Sequence, residues 1–347
     1  MKKKLFDILT ISLMGCLCAC QPEYTGWLSQ KPDLPEEIEK KPVKPTSYEI
    51  PVTRPYEVSQ EDILKMVGQG LRNYSWKLFK QLYQERKVDD SLTPNLLLAP
   101  YHVISKLRQQ MDVLDLRAQE QLVGSFGLEV GTPADMKDFC EKVNRINVKG
   151  GFFKVSNSGD SPSIWAHWSN TSSLFSAYDT QQGCFHKGDG TGENVDMMYT
   201  ADTFMHHVFK KYTIAQHNLC NGLRVFFVRP NYNCTVDDVI ESFDPSDLVG
   251  NELKHMALYF WMPKFSMQDN HDLDINISGK HVEVKQTLDL RFSENGVYNA
   301  EQKLWVSKNW KANGDHASDV FRLDRPFLYG IMESFTNTII YIGCFGG

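Results

Sequence analysis

The sequence predicts an α+β protein, because helical and strand-like patterns are segregated along the chain instead of alternating. Between residues 60 and 146, apolar residues recur every three or four positions, as in "SQEDILKMVGQGLRNYSWKLFKQLYQERK". From Gly150 onward, short segments are rich in β-branched and aromatic residues. The last two of these, "PFLYGIM" and "TIIYIGCF", predict a terminal hairpin. We therefore expect helices packed on a largely antiparallel β portion.

Each element follows from a local pattern. Leu64, Val67 and Leu71 lie on one face of the first predicted helix. "NLLLAPYHVISKL" opens as a short strand and breaks at Pro100, after which helices continue, and "MKDFCEKVNRI" predicts another helix. "TVDDVIESF" is helical as well. The predicted strands are "GGFFKVS", "SIWAHWS", "VDMMYTADTFMHHVF", "TIAQHNLC", "LRVFFVRP", "LVGNELKHMALYFWMPKFSM" and "VEVKQTLDLRF".

The first residues have the pattern of an export signal. Lys2–Lys4 precede a mostly apolar run, and two lipobox-like sequences end it. We expect residues 1–20 to be a lipoprotein signal peptide with Cys20 as the acylated residue, because polar "QPEYTG" follows it directly. Cys16 and Cys18 are the alternatives for acylation. An ordinary cleaved signal or an uncleaved anchor is the alternative for the segment as a whole.

Residues 21–57 are rich in Pro, Lys and Glu, a composition that cannot bury enough apolar surface to offset chain entropy. We expect them to tether a domain at residues 58–347 to the membrane. Attachment is expected through lipid only, because no other run reaches the roughly 18 apolar residues of a spanning helix. The chain is thus predicted to be exported and anchored to the cell envelope, at a bacterial outer membrane or cell surface, as a monomer.

Composition argues against several function classes. The formal net charge is -6, without basic blocks beyond the signal, so no nucleic-acid partner is expected. The cysteines outside the signal lack a Cys-x-x-Cys pair, which argues against a zinc ribbon. One disulfide, Cys220 with Cys234, or free buried thiols are both compatible with the sequence.

No enzyme, cofactor or metal site is predicted. His206, His207 and His217 are the best metal candidates, but adjacent residues of a strand point to opposite faces. "KGDGTGE" lacks the Gly-Lys-Ser/Thr of a phosphate loop, and the chain has no Gly-x-Ser-x-Gly elbow. We expect "KGDGTGE" to form a surface turn.

The stretch "SENGVYNAEQ" opens a gap of more than twenty residues between two predicted strands near the end of the chain. Loops of that length are uncommon in compact domains, and most of them are functional or disordered. The gap is therefore the first candidate for a functional segment.

Six segments, in order, resemble motifs of the serpin family. "NLLLAPYHVISKL" is similar to "N-x-x-x-S-P-x-S-I", "SIWAHW" to "xxFKGxW" with Trp168 at the tryptophan, and "VDMMYTADTFMH" to "VPMMxxxGTF". "LYFWMPKFSM" is similar to "VxLPKF", "FSENGV" to the "VxEEGT" hinge, and the C-terminal segment to "FxADHPFLFxIxxxxTxxILFxGRV". The domain is some tens of residues shorter than the family pattern, between Phe153 and Ile164 and between Met267 and Val282.

The resemblance implies a serpin-like fold: N-terminal helices on a large antiparallel or mixed sheet, a smaller C-terminal β-layer and an exposed reactive-centre loop at about residues 296–320. In the family this loop is bait for a serine or cysteine protease. After cleavage, its hinge end inserts into the central sheet as an extra strand and the acyl-bound protease is distorted. The implied hinge residues here are Glu294, Gly296, Val297, Asn299 and Glu301.

The usual spacing places the scissile bond at Trp310-Lys311, although the long C-terminal half of the loop allows a shift of several residues. Lys311 or Lys308 would suit a trypsin-like protease, and Trp310 a chymotrypsin-like one. Ala99 and His102 stand where the family has two serines of its "shutter", the place where the sheet parts.

The hinge departs from the small residues of inhibitory members. Val297, Asn299, Glu301 and Lys303 would face the core on insertion, and an unpaired buried charge costs roughly several kcal/mol. The resemblance makes protease inhibition the predicted function, whereas these hinge residues disfavour fast insertion and make a non-inhibitory serpin-fold protein that binds a protein or other ligand the alternative. An unrelated α+β surface lipoprotein is a third reading.

Overall fold

The structure is a computed structural model, and it describes the chain in segments. These are residues 60–89, 95–127, 135, 137, 152–154, 162–168, 174–277, 279–299 and 319–347. Residues 60–347 belong to one compact unit. The predicted signal peptide, the tether and Cys20 lie outside the described residues, and so does most of the predicted helix "MKDFCEKVNRI".

Four α-helices occur in the described part of the chain. They are α1 (Gln60–Asp89), α2 (Pro100–Met111), α3 (Leu116–Ser125) and α4 (Val236–Ser242). Proline begins α2 because its missing N–H needs no partner in the first turn of a helix. The Asp115 side chain caps α3 by accepting from the Ala118 N–H at 2.8 Å. The start of α4 is fixed by a capping box between Thr235 and Asp238.

Nine strands of the described residues form the larger sheet. They are β1 (Leu96–Leu98), β4 (Gln181–His186), β5 (Gly192–Val208), β6 (Tyr212–Asn218), β7 (Leu223–Pro230), β8 (Lys254–Pro263), β12 (Asp319–Arg322), β13 (Phe327–Glu333) and β14 (Ile339–Phe345). The order is β1-β14-β13-β7-β6-β5-β8-β12, with β4 paired to β5. The predicted terminal hairpin is confirmed, because β13 and β14 are antiparallel neighbours.

The smaller sheet of the described residues has five strands in the order β2-β3-β11-β10-β9. They are β2 (Phe152–Lys154), β3 (Ser163–Ala166), β9 (Phe265–Ile277), β10 (Lys280–Ser293) and β11 (Gly296–Tyr298). A long hairpin joins β9 and β10, and it turns at Gly279, whose φ is +82°. We call this the hinge sheet, because β11 contains the predicted hinge.

Aromatic rings from both sheets fill the space between them. Phe265 and Phe292 of the hinge sheet stack at 4.6 Å between ring centroids. Both rings then meet Tyr329 of β13 edge-on, at 5.1 and 5.3 Å. Tyr329 and Phe292 are almost fully buried, so this contact contributes to the main core of the domain.

The helices complete an α+β architecture, which confirms the predicted fold class. Both α1 and α2 pack against β14. Gly68 allows α1 to approach the turn after β13, since a Cβ there would lie 2.1 Å from the Thr336 carbonyl oxygen. None of the helices described is long and apolar enough to cross a membrane.

Candidate functional site

The predicted hinge begins in the middle of the hinge sheet. Its strand β11 pairs antiparallel with β10 on one side, with Val297 opposite Phe292. On the other side β11 pairs antiparallel with β3, with Val297 opposite Ala166. Val297 is fully buried. The first hinge residues therefore form the middle strand of the sheet already in the intact chain.

Gly296 is required where the chain enters this strand. Its φ of +137° is a conformation that L side chains rarely adopt. A Cβ at this position would lie 2.1 Å from the Ala166 carbonyl oxygen and 2.9 Å from the His167 Cα. Both the backbone angle and the close approach of β3 therefore demand glycine.

Glu294, which precedes the strand, is anchored in a buried position. Its carboxylate accepts from the Thr180 hydroxyl at 2.9 Å and lies 3.0 Å from Lys264 Nζ. Burial alone would raise the pKa of Glu294, but hydrogen bonds from its backbone, Lys264 and Thr180 hold that pKa below its ordinary value. The carboxylate is therefore ionised at neutral pH.

The turn between β10 and β11 is held by two side chains that follow β3. Trp168 Nε1 donates to the Ser293 carbonyl oxygen at 2.6 Å. His167 Nδ1 lies 2.9 Å from the Asn295 carbonyl oxygen, a contact that requires the proton on Nδ1. Trp168 is buried, with its ring edge-on to Phe175 at 5.1 Å. These bonds fix the entry of the hinge into the sheet.

Asn299 follows β11 and bonds to both neighbouring strands. Its backbone N–H donates to the Ile164 carbonyl oxygen at 3.1 Å. Its side-chain Oδ1 accepts from the Ile164 N–H, and Nδ2 donates to the Asp289 carbonyl oxygen. Glu301, the last predicted hinge residue, lies outside the described residues, as do Trp310 and Lys311.

The two shutter-like positions lie against β10. Ala99 precedes α2, and its backbone N–H and carbonyl bond to the Gln286 side chain at 3.3 and 2.7 Å. His102 is fully buried, with Nδ1 3.2 Å from Gln286 Nε2. The structure thus joins Ala99 and His102 through Gln286, a residue that the sequence analysis did not single out.

A second polar group missed by sequence reasoning lies beside it. Asp269 of β9 binds Arg86 of α1 with both carboxylate oxygens, at 2.7 and 2.8 Å, and accepts from the Leu97 N–H at 2.9 Å. His271 Nε2 lies 2.6 Å from the Leu97 carbonyl oxygen. These side chains form hydrogen bonds with the backbone groups of β1 that point away from β14. The available signal is that Asp269 and His271 interrupt an otherwise apolar alternation in β9.

The candidates for other chemistry are dispersed. His206 is buried edge-on to Phe321, whereas the adjacent His207 points toward Glu252, so they occupy opposite faces as expected for a strand. Burial lowers the pKa of both His206 and His217. The described residues contain no cluster of three or more metal-ligating side chains. Cys220 and Cys234 are not joined by a disulfide, which answers the question that the sequence left open.

Comparisons with known proteins show which proteins this chain is similar to. The model of the family Serpin (serine protease inhibitor) matches residues 166–278. No curated protein matches the chain. Human thyroxine-binding globulin in complex with thyroxine is 13% identical, with a TM-score of 0.65 over 81% of this chain and 98% of the globulin.

Two further solved structures have the same fold. Native protease nexin-1 with heparin is 13% identical, with a TM-score of 0.62 over 82% of this chain and 99% of that one. Serpin48 from the insect Tenebrio molitor is 13% identical, with a TM-score of 0.62 over 80% and 98%. The family match covers residues 166–278, and the solved structures show that this chain has the serpin fold.

Proposed function

We propose that this chain is a lipid-anchored serpin that inhibits a serine or cysteine protease through a reactive-centre loop at about residues 296–320. The supporting observation is the position of β11 (Gly296–Tyr298), which pairs with β10 on one side and with β3 on the other. The first hinge residues are therefore already paired between β10 and β3, and these two strands need not separate before the first inter-strand hydrogen bonds form. The described chain also resumes at β12, parallel to β8, so both ends of the proposed loop are held in sheets.

The proposed mechanism uses the protease's own chemistry. The protease nucleophile attacks the carbonyl of Trp310, the Trp310-Lys311 bond breaks, and an acyl-enzyme forms while the new amine of Lys311 departs. The released hinge end then adds rungs between β10 and β3, in the manner of β-strand addition. Insertion carries the acylated protease along the sheet before water can hydrolyse the ester or thioester. The chain is thus a trap and not an enzyme.

The test is incubation with trypsin-like and chymotrypsin-like proteases, followed by a denaturing gel and mass mapping of the cut. We expect a covalent complex that resists SDS, with cleavage at Trp310-Lys311. Lys311→Ala separates the two protease classes, because it should abolish cleavage after Lys311 by a trypsin-like protease and leave cleavage after Trp310 by a chymotrypsin-like one. Cleavage by a trypsin-like protease that persists in this variant would point to Lys308. Cleaved chain without any complex, across the whole panel, would reject inhibition.

A second candidate is a serpin-fold protein that binds a ligand without inhibiting. The observation that favours it is the length of β3, which has four residues, whereas β10 has fourteen. Among the described residues, an inserted strand would find two partners only along those four. In that case cleavage should leave thermal stability unchanged, which distinguishes this candidate from the first.

We also propose that the chain is exported and held at the cell envelope by acylation of Cys20. The support is the lipobox-like sequence and the Pro-, Lys- and Glu-rich stretch that follows it. Cys20→Ala should release the protein from membranes in a fractionation experiment. Retention of a processed, anchored variant would shift the acylation to Cys16 or Cys18.

A further inference from the structure

We propose that the side-chain amide of Asn299 takes the place of a backbone peptide group and thereby limits how deeply the hinge enters the sheet. The inference rests on the proposed function, because it concerns the regulation of the same hinge. It is carried by the three hydrogen bonds that Asn299 makes to β3 and β10.

The first part of the argument concerns β3. The register of β11 places Asn299 opposite Ile164, one position beyond the pair Tyr298 and Trp165. A hydrogen-bonded pair of an antiparallel ladder exchanges two backbone N–H···O bonds. Asn299 gives the first of these to the Ile164 carbonyl oxygen at 3.1 Å. The second is different, because the Ile164 N–H donates to the side-chain Oδ1 of Asn299 and not to its backbone oxygen.

The second part concerns β10. Since Tyr298 lies opposite Arg291, one more extended residue after Asn299 would face Asp289. The N–H of that residue would donate to the Asp289 carbonyl oxygen. Asn299 Nδ2 donates there in its place. The amide orientation follows from these partners, because a backbone N–H requires Oδ1 and a carbonyl requires Nδ2.

One side chain thus supplies both groups of a peptide unit, a C=O for β3 and an N–H for β10. A strand cannot continue through the same two positions while the side chain holds them. Deeper insertion exchanges two hydrogen bonds for two equivalent ones, so this rung contributes little net driving force. Deeper insertion also turns the Asn299 amide toward the face of the sheet on which Val297 lies, and Val297 is fully buried. Burying that amide anew carries a cost unless it finds partners.

Two substitutions remove the limit that the Asn299 side chain sets on hinge insertion, and they do so in different ways. Asn299→Ala deletes both side-chain bonds to the neighbouring strands and the hydrogen bond to the Tyr341 side chain, and it places a small apolar residue on the buried face. Asn299→Asp keeps the shape and the acceptor for Ile164, but it sets a carboxylate oxygen against the Asp289 carbonyl oxygen. Both variants should allow the chain to enter the sheet one rung further.

Insertion depth can be measured with a cysteine pair, Ser163→Cys with Ala300→Cys. In the register of β11, an inserted residue 300 would lie opposite Ser163 in a non-hydrogen-bonded pair. Such pairs have Cα atoms about 4.5 Å apart, within the range for a disulfide. We expect disulfide formation to be about tenfold faster with Asn299→Ala or Asn299→Asp than with asparagine, the order expected for loss of one or two net hydrogen bonds. Non-reducing peptide mapping separates this pair from the native thiols.

A second cysteine pair, Trp165→Cys with Tyr298→Cys, reports the strand pairing that is already formed. It should cross-link equally with Asn, Ala or Asp at position 299. Equal rates for the 163 and 300 pair in the three backgrounds would overturn the proposal. Loss of the control cross-link in either variant would overturn it too, since Asn299 would then anchor the hinge and not limit it. No protease takes part, so failure to trap a protease would reject the proposed function while leaving this result standing.

Discussion

Gly296 is the residue at which a single added carbon, a Cβ, decides whether β11 can lie between β10 and β3. The position combines a φ of +137° with a close approach of the β3 backbone. Sequence similarity identified the glycine, but only the structure shows the steric reason, because the carbonyl of Ala166 comes from 130 residues earlier in the chain.

We expect Gly296→Ala to drive β11 out of the sheet, since a left-handed backbone and an overpacked contact each cost about 1–3 kcal/mol. Hydrogen exchange of the peptide covering residues 290–299 should become several-fold faster. Gly279→Ala is the matched control, because Gly279 also has a positive φ of +82° but has nothing within 4 Å of an added Cβ. Equal exchange in the two variants would show that close packing at Gly296 is unimportant.

Glu294 makes the hinge sensitive to acid. Its pKa in the folded chain lies below the ordinary value of 4.5. A depressed folded pKa means that the carboxylate stabilises the fold fully above the unfolded pKa, and that this stabilisation is lost as the pH falls through the folded pKa. The relevant window therefore lies below about pH 4.5 and not near neutrality.

Glu294→Gln should lower the Tm at pH 7, and its difference from the unsubstituted chain should shrink as the pH falls below about 4. The measurement is Tm against pH between 3 and 7. Glu283→Gln provides the control, because Glu283 is exposed on β10, the strand that precedes Glu294. A Tm difference for Glu294→Gln that is constant over this range would contradict the depressed pKa.

At the scale of elements, β1 is an edge strand whose outer backbone groups bond to side chains where another strand would supply main chain. Asp269 and His271 bind the N–H and carbonyl of Leu97, and Gln286 binds those of Ala99. Satisfying these groups stabilises the junction of the two sheets, because an unpaired buried backbone group costs roughly 1–3 kcal/mol.

Asp269→Ala should therefore reduce the free energy of unfolding by about 2–4 kcal/mol, since it leaves the Leu97 N–H and the Arg86 guanidinium without this carboxylate. Urea denaturation measures the change. Asp272→Ala is the comparison on the same strand, because Asp272 is exposed and should cost less than about 0.5 kcal/mol. Similar losses for both variants would show that the bonds to β1 contribute little.

At the scale of the whole molecule, local patterns predicted the fold class and the terminal hairpin, whereas the hinge was assigned from the family resemblance. The strand "LRVFFVRP" coincides with β7, because its run of buried apolar residues has turns on both sides. The partners of the hinge could not be predicted in the same way. Thr180 lies 114 residues from Glu294, and Leu97 lies 172 residues from Asp269. Such contacts depend on the register between distant strands, which no local pattern encodes.

The central claim is that the hinge can insert as a strand, and that its first residues are already paired between β10 and β3. Its most direct test is the Tm of the intact chain compared with that of the chain nicked once within residues 300–318. Insertion after cleavage should raise the Tm by roughly 10 °C, because several kcal/mol of added strand pairing shift a domain of this size by about 2 °C or more per kcal/mol. An unchanged or lower Tm after nicking would contradict insertion and favour the ligand-binding alternative.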